Sequence, residues 1–447
     1  MDHVVKIKKG LDIQLEGIPS PKISNTPDSQ LYAIIPDDFV GLTPKVIVKP
    51  GEKVLTGSPV IHDKTHPNIV VTSPVSGEIV TIERGERRKV IKITIKPDAS
   101  QQALEFGRFN LENMDSSEIK DLLLKSGIFA FIKQRPYDIV ANPDTAPRDI
   151  FVTAFDSAPL APDYAFILKE EKQHFETGLK ALNKLTSGKV YVGISQRQPI
   201  DVKNATSVIF DGPHPAGNVG IQINHIAPIN KGDTVWTMSA LDVLFIGRLF
   251  DKGIADFSRI VAVTGSEIDN PHYVRTRIGA SIASITQGMV KAVKYEQRYI
   301  SGNVLTGVKT NADGYIGATH SQITVIPEGN NYDEFLGWAS LNPHKYSTSH
   351  SYFSWLLGKK KKYTIDARIR GGAIIMSDEY DRVFPMDIYP EYLIKAILAF
   401  DIDKMENLGI YEVAPEDFAL CEFVDTSKLE LQKIVRDGLD RLMKEMN

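Results

Sequence analysis

The chain has 447 residues, of which 42% are hydrophobic and 24% are charged, and its formal net charge is −4. This length predicts about two to four domains, and the composition is typical of a globular protein. The negative charge argues against a general nucleic-acid binder, while a single cysteine, Cys421, excludes a disulfide framework, a cysteine-ligated zinc site and an iron–sulfur cluster built within this chain.

The sequence shows no signal for export or for membrane insertion. The N-terminus lacks a basic segment followed by an apolar core, and no run of roughly 18 apolar residues occurs. Residues 212–230 lack Asp, Glu, Lys and Arg, but their prolines and glycines predict a loop and a strand. We therefore expect a cytoplasmic chain whose membrane role, if it has one, is peripheral.

Residues 1–100 read as short strands separated by turns, which predicts a barrel-sandwich domain. The segments 51–57 and 73–79 are similar to the lipoyl and biotinyl carrier fold. In those carriers a lysine at a hairpin tip bears the prosthetic group, and Lys64 is the candidate here. Residues 65–68 lengthen and kink that turn, so an unmodified structural barrel is favoured over a swinging-arm carrier.

Residues 101–255 alternate between helix and strand patterns. A helix is predicted over 116–125, capped by its own serines, and a long helix over 166–185. Buried strands are predicted over 150–155 and 189–194. Such alternation predicts a Rossmann-like α/β domain with a largely parallel sheet.

Residues 256–330 predict a strand, a turn, a second strand and a helix. The apolar β-branched run 260–266 ends at a glycine and serine, an Asn-Pro turn follows at 270–271, and residues 278–280 lead into a periodic apolar stretch. This order resembles the SLBB-type β-grasp module, a ligand-binding unit found in electron-input proteins of respiratory complexes and in polysaccharide exporters.

Residues 331–447 form a mixed region that ends in helices, predicted over 390–400 and 427–444. Four consecutive lysines at 359–362 predict a solvated turn, with contact to anionic lipid or an acidic partner as the alternative. These four regions together predict an α/β multidomain protein.

None of the familiar catalytic motifs is present. The sequence has no phosphate loop, no G-x-G-x-x-G after a strand, no G-x-S-x-G elbow and no H-E-x-x-H helix, and its histidines lack metal-ligand spacing. His214 stands in a turn rich in proline and glycine, which could aim its imidazole into a pocket as a hydrogen-bond donor. Rigid packing of that turn is the favoured alternative.

A second candidate segment, 125–137, leaves a helix and mixes aromatic with cationic side chains. A quinone is a flat apolar ring with two carbonyl oxygens, and stacking surfaces with cationic or phenolic donors suit it. The quinone-binding candidates are therefore His214 and, in this segment, Phe129, Phe131, Lys133, Arg135 and Tyr137. The alternative is a buried connection in which Arg135 pairs with a carboxylate.

Segments spread over nearly the whole chain carry a resemblance to one family, the A subunits of the bacterial sodium-translocating NADH:quinone reductases (the NQR complexes). They are residues 6–12, 74–77, 84–86, 135–136, 159–161, 212–217, 235–237, 246–250, 300–305, 385–388 and 419–423. Their order and spread make a coincidental match improbable.

This resemblance implies a peripheral protein on the cytoplasmic face of the bacterial inner membrane, in a complex with five other subunits, of which at least one is integral to the membrane. That complex oxidises NADH, reduces a quinone and exports Na⁺. FMN, FAD and iron–sulfur centres are then expected only in partner subunits, with the quinone as substrate and no tightly bound cofactor here. The bulky residues of 126–136 stand where a flavin-binding loop needs glycine.

Two points stay open in the sequence. The family often has a second cysteine after the position of Cys421, whereas this chain has Asp425 to Lys428 there, so Cys421 is expected to be a buried small hydrophobe rather than half of a redox pair. An assembly scaffold with vestigial cofactor domains is the alternative to a quinone site, and the choice between ubiquinone and menaquinone is undetermined.

Overall fold

The computed structural model describes residues 4–25, 28–330, 343–346, 348, 353–357, 362–365 and 378–446. Over these residues the chain forms a β-barrel, an α/β layer, a β-grasp unit and a C-terminal group of helices, which confirms the predicted fold class. Of the lysine run at 359–362, only Lys362 lies within the described residues.

The first two strands leave the N-terminal region and join sheets elsewhere. They are β1 (Val4–Lys6) and β2 (Ser20–Asn25). The barrel itself comprises β3 (Tyr32–Ile34), β4 (Pro44–Val46), β5 (Lys53–Val54), β6 (Pro59–Asp63), β7 (Val70–Thr72), β8 (Gly77–Arg84) and β9 (Val90–Pro97). One sheet has the order β3-β9-β8-β5 and the other β4-β6-β7, and their inward side chains, such as Val60, Ile79 and Ile93, form the barrel core.

The turn between β6 and β7 carries Lys64, which is exposed. Its backbone N–H donates to the carbonyl of Thr43 at 2.9 Å, and the buried carboxylate of Asp63 accepts the backbone N–H groups of Thr43 and His66. The turn is therefore held by its own hydrogen bonds.

Intact-mass spectrometry of the chain from its natural host is expected to show no lipoyl or biotinyl increment. A carrier lysine needs a tight, protruding hairpin tip, and here the turn is long and tied to the barrel. An increment lost in a Lys64→Arg variant would contradict this expectation and restore the carrier interpretation.

The α/β layer is built on a seven-stranded sheet with the order β1-β14-β13-β12-β15-β10-β11. Its strands are β10 (Lys133–Arg135), β11 (Ile139–Val140), β12 (Ile150–Thr153), β13 (Val190–Ser195), β14 (Thr206–Asp211) and β15 (Val235–Ser239). The five strands from β1 to β15 are parallel, whereas β10 runs antiparallel to β15. The predicted parallel sheet is therefore present, with β1 from the N-terminus added at one edge.

The helices of this layer are α1 (Ser116–Ser126), α2 (Tyr164–Glu170), α3 (Lys172–Asn183), α4 (Val219–Ile226) and α5 (Ala240–Lys252). Two predictions for them were wrong in detail. The cap of α1 is Asp115, in a capping box with Glu118, and not a serine within the helix. The long helix predicted over 166–185 breaks at Glu171, whose carboxylate turns to pair with Arg248 and Arg275.

A third prediction was wrong for the segment 212–230, which was expected to be loop and strand but contains α4. This helix buries Gly220, Ile221, Gln222 and Ile223 in succession. The prediction depended on the prolines and glycines of the segment, but Pro213, Pro215 and Pro228 all lie outside the helix.

The β-grasp unit confirms the predicted strand, turn, strand and helix. Its elements are β16 (Ser258–Thr264), β17 (His272–Arg277), α6 (Ile282–Ile285), β18 (Gln297–Ser301), β19 (Val308–Thr310) and β20 (Gln322–Pro327). The sheet has the order β19-β18-β20-β16-β17-β2, so the N-terminal arm adds β2 beside β17. Residues 4–25 thus add one strand to each of two sheets whose other strands come much later in the sequence.

The C-terminal helices are α7 (Glu379–Val383), α8 (Pro390–Ala399), α9 (Ile402–Asn407), α10 (Ala419–Val424) and α11 (Leu431–Met446). Both predicted helices are present, but α11 begins at Leu431 because Asp425 accepts backbone N–H groups of the preceding turn, from Ser427 and Leu429. Cys421 is fully buried in the core of this group. Among the described residues, no helix combines the length and the apolar character that crossing a bilayer requires.

Candidate functional site

A cleft of about 490 Å³ opens at the carboxyl ends of β12 and β15. From β12 the chain runs to β13 and β14 on one side, then returns to β15 on the other, so the strand order reverses between these neighbours. Ligands of open α/β sheets bind at such a reversal, outside the carboxyl ends of the strands. We call this space the switch-point cleft.

All four parts of the protein contribute to its walls. The barrel contributes Asp37 and Asp38, and the C-terminal region contributes Pro415, Glu416, Gln432 and Arg436. The β-grasp unit contributes Gly302, Asn303 and the four residues 319–322. The largest share comes from the α/β layer, with Thr153, Phe155, Asp156, His214, Thr237, Met238, Ser239 and Asp242. The site therefore exists only when the domains are packed together.

The turn that carries His214 is held from the N-terminus. The backbone N–H of His214 donates to Asp12 at 2.8 Å, and its carbonyl accepts the N–H of Leu11 at 2.8 Å. Gly10 passes so close that a Cβ there would lie 2.2 Å from the carbonyl oxygen of His214. The imidazole is thus fixed by main-chain contacts on its own turn.

The ring of His214 is buried beside the switch-point cleft, which His214 helps to line. Its Nδ1 lies 3.0 Å from the hydroxyl of Ser157, and that oxygen accepts the N–H of Gly217 at 2.8 Å. We assign the hydroxyl proton of Ser157 to a hydrogen bond with Nδ1, and this assignment puts the ring proton on Nε2. Nε2 is buried and has no hydrogen-bond partner among the residues that the structure describes. Burial lowers the pKa of His214 to about 4, so the ring is neutral at pH 7.

A second unpartnered polar atom lies in the same cleft. Gln322 is buried, and its amide nitrogen donates to nearby oxygens such as the hydroxyl of Thr324 at 3.0 Å, whereas its Oε1 has no partner in the described part of the chain. His320 stands beside it, with Nδ1 2.8 Å from the hydroxyl of Ser301. Burial, reinforced by the positive charges of Arg259 and Lys133, lowers the pKa of His320 to about 4. Buried polar atoms without partners mark a place where a ligand can complete the hydrogen bonding.

Carboxylates outnumber cationic side chains on the walls. Lys133 and Arg436 face six acidic residues, which are Asp37, Asp38, Asp138, Asp156, Asp242 and Glu416. Asp242 is paired with Arg259, which lies behind the wall. Despite its burial, the cations Lys133, Arg135 and Arg436 hold the pKa of Asp138 below its usual value. An excess of negative charge repels phosphate groups, so the lining suits an uncharged ligand better than a nucleotide.

Four of these acids take up protons more readily than usual, and one of them is Asp242, whose pKa burial raises although Arg259 opposes the change. Burial raises the pKa of Asp38 to about 6, although the N–H of Ala318 donates to its carboxylate. Burial also raises the pKa of Asp156. The pKa of Glu416 is raised to about 7 by burial, with the charges of Asp417 and Asp138 adding to the effect. Several perturbed groups in one cleft indicate a functional site.

The structure brings three of the six sequence-predicted quinone residues into this cleft. Phe131, Lys133 and His214 line it, and Lys133 lies 3.5 Å from the carboxylate of Asp138. Phe129 is instead buried edge-to-face against Trp236.

The other two candidates also point away from the cleft. Arg135 is fully buried, with its guanidinium 2.8 Å from both Asp417 and Glu416, as in the alternative considered from sequence. Tyr137 packs edge-on against Tyr411 outside the lining.

Sequence reasoning missed several lining residues. Asp38 stands in a single 3-10 turn after a barrel strand, and Glu416 in another such turn near the C-terminus, and neither position had a local signal. Gln322 had one, because a polar side chain opens an otherwise apolar buried strand. Among the described residues, no cluster of acidic, histidine or cysteine side chains could hold a metal ion.

Three family models match consecutive parts of the chain. Residues 5–98 match the NqrA N-terminal barrel-sandwich hybrid domain, residues 114–255 the NqrA second alpha/beta domain, and residues 260–312 the NQRA C-terminal domain.

Whole proteins named as the A subunit of the Na(+)-translocating NADH-quinone reductase are similar to the chain over almost its full length, and three of them serve as examples. That of Serratia proteamaculans is 37% identical over 453 residues, that of Neisseria meningitidis serogroup B 36% over 451, and that of Hahella chejuensis 38% over 452. Each alignment covers 99% of this chain and 100% of the relative.

Among solved structures, the NAD⁺-reducing NiFe hydrogenase is a distant match. Its air-oxidised form gives a TM-score of 0.37 at 9% identity, covering 77% of this chain and 67% of the hydrogenase chain. The H2-reduced form gives 0.39 at 7% identity, covering 94% and 83%.

Proposed function

The chain belongs to the NqrA family, the A subunits of the Na(+)-translocating NADH-quinone reductases, and from this premise we propose that it binds the quinone in the switch-point cleft. It does so as a peripheral protein on the cytoplasmic face of the membrane, held by the five other subunits, one of them integral to the membrane. FMN, FAD and iron–sulfur centres belong to those partners, as does Na⁺ passage, and this chain holds no prosthetic group tightly.

The observation that carries this proposal is the buried Nε2 of His214, which belongs to a neutral, cleft-lining imidazole and has no hydrogen-bond partner within the described residues. A quinone carbonyl is an uncharged acceptor, and a buried neutral donor binds it without the cost of burying a charge. Phe131 and Phe155 add apolar surface to the same walls. Donor and aromatic surface together are what a small apolar ring with polar ends requires.

The charge of the lining supports a quinone over the flavin or nicotinamide nucleotides. Both nucleotides carry phosphates, and the walls hold more carboxylates than cations. A quinone carries no charge, so this lining imposes no such penalty on it. The electrons then reach the bound quinone from cofactors held by partner subunits.

A His214→Ala variant is expected to bind a short-tailed quinone about 5- to 30-fold more weakly than the unaltered chain, since a net hydrogen bond contributes on the order of 1–2 kcal/mol. Calorimetric titration of the isolated chain measures this directly. His225→Ala is the matched control, because His225 bonds the carbonyl of Ile221 on its own helix and lies outside the lining.

Equal affinities in the two variants would place the quinone elsewhere on the chain. No heat beyond dilution from the folded, unaltered chain would contradict a quinone site here altogether. That result would favour the assembly scaffold, and the quinone site would then be sought in the membrane subunits.

A further inference from the structure

Glu416 occupies the C-terminal wall of the switch-point cleft with one carboxylate oxygen engaged and one free. Its Oε1 accepts from the guanidinium of Arg135 at 2.8 Å, and within the described residues Oε2 has no hydrogen-bond partner. The side chain is 38% exposed, and the cleft is the space into which it opens. One oxygen is thus anchored while the other is available to a ligand or to water.

The same residue is tied to the turn that carries His214. The backbone carbonyl of Glu416 accepts the side-chain amide of Asn218 at 3.1 Å, and Asn218 itself lines the cleft. Asn218 also ends the turn through its backbone N–H, which donates to Pro215 at 2.9 Å. The carboxyl group and the buried imidazole donor are therefore held on adjoining walls of one space.

Charges from three elements face this carboxyl group. Arg135 and Lys133 on β10 stabilise its anionic form, whereas Asp138, which follows β10, and Asp417 beside it disfavour that form. Although 38% of the side chain is exposed, the protein packed around its carboxyl group removes enough hydration to outweigh the two cations, which raises the pKa of Glu416 to about 7. The group therefore exchanges a proton near neutral pH, as a general acid must.

Other acids of the cleft are less suited to this task. Asp242 is committed to the ion pair with Arg259, and Asp156 accepts the N–H of Ala158 at 2.7 Å. Asp38 accepts the N–H of Ala318 at 2.7 Å. Among the lining acids, Glu416 best combines solvent access, a free oxygen and an anchor from a buried cation.

Resting on the quinone site proposed above, we propose that Glu416 is the acid that delivers a proton to the quinone during its reduction. Conversion of a quinone to a quinol takes up two electrons, which come from NADH through partner subunits, and two protons, one on each oxygen. One O–H bond of the quinol forms as the O–H bond of Glu416 breaks. The second proton comes from bulk solvent that reaches the cleft, and Glu416 then recovers its own proton from the solvent as well.

The assembled complex with Glu416→Gln in this chain is the test, since glutamine keeps an acceptor for Arg135 but has no acidic proton. We expect kcat for quinone reduction at pH 7 to fall at least about 10-fold, because general acid catalysis contributes typically 10²–10⁴-fold, with KM for quinone changed less than about 3-fold. The unaltered complex is expected to lose activity as the pH rises through about 7, and the variant to lose this dependence.

Glu412→Gln is the matched control. Glu412 lies in the same C-terminal segment, its pKa is also raised by burial, and its carboxylate accepts from Asn224 outside the cleft lining. This control is expected to keep the activity and the pH profile of the unaltered complex. Glu416→Asp, which restores an acid, is expected to recover part of the lost rate and the pH dependence.

A second measurement separates the two proposals. If the isolated Glu416→Gln chain binds quinone as the unaltered chain does, yet kcat and the pH profile of the complex are unchanged, Glu416 is not the proton donor and the quinone site stands. If neither chain binds quinone, the proposed site itself is wrong.

Discussion

Replacing Arg135 with methionine is expected to lower the free energy of unfolding by about 3–5 kcal/mol, the usual cost of removing one partner of a buried ion pair. The side chains of Arg135 and Asp417 are both fully buried, and the Nη1 of Arg135 lies 2.8 Å from the Oδ2 of Asp417. Methionine fills much of the volume but leaves the Asp417 carboxylate without its cation in a place that water does not reach. Urea unfolding of the isolated chain, followed by circular dichroism, measures the change.

Arg197→Met is the control for this substitution. Arg197 is an exposed arginine whose side chain lies 3.5 Å from Asp12, and exposed pairs contribute on the order of 1 kcal/mol or less. Adding Asp417→Asn to Arg135→Met is expected to recover part of the lost stability, because the stranded charge is removed with its partner. If Arg135→Met alone lowers the free energy of unfolding by less than about 1 kcal/mol, the Arg135–Asp417 ion pair does not stabilise the buried core as its short distance indicates.

The buried position of Arg135 determines how a loss of quinone affinity in an Arg135 variant should be interpreted. Arg135 is a sequence-predicted quinone residue, but the structure places it behind Glu416 rather than on the cleft surface. A weakened quinone affinity in an Arg135 variant is therefore expected from the collapse of the C-terminal wall, without any contact between arginine and quinone. His214, Lys133 and Phe131 line the cleft and are the predicted residues whose variants report on contact with quinone.

Gly247→Ala is expected to destabilise the chain by about 2–3 kcal/mol, at the upper end of the usual cost of overpacking. Gly247 stands on α5 where α3 crosses it, and a Cβ there would lie 1.7 Å from the backbone oxygen of His174. Gly178 makes the reciprocal approach from α3, with its Cβ position 2.5 Å from the carbonyl oxygen of Val243. Backbone atoms cannot rotate away, so the two helices must separate, and the core beneath them loses contact.

The control is the same change at a helical glycine whose neighbour is a side chain. On α11, a Cβ at Gly438 would meet a methyl group of Ile397 at 2.5 Å, and that side chain can shift. Alanine also favours a helix over glycine by about 1 kcal/mol, so Gly438→Ala is expected to change stability far less. Thermal unfolding of both variants measures the two changes in stability. If Gly247→Ala and Gly438→Ala lose equal stability, α3 and α5 do not approach each other more closely in solution than helices in ordinary contact.

Local sequence patterns determined most of the elements. The β-branched run that ends at Gly265 specified β16, and the turn at Asn270 specified the return into β17, because these signals act between neighbours in the chain. The rigid turn at His214 was visible for the same reason, since its prolines and glycines restrict the backbone wherever the turn is placed. What such signals could not show is which wall the turn would join.

Only the tertiary structure decided the composition of the switch-point cleft. Glu416 meets Arg135 across 281 positions in sequence, and Asp38 meets Ala318 across 280. The burial of these groups, and therefore their raised affinity for protons, depends on how four domains pack, and no periodicity of 2 or 3.6 residues encodes such a contact. The sequence by itself determined the family, the fold class and a histidine that could donate a hydrogen bond. The packing decided that His214, Lys133 and Glu416 share one cavity and that Arg135 supports it from behind.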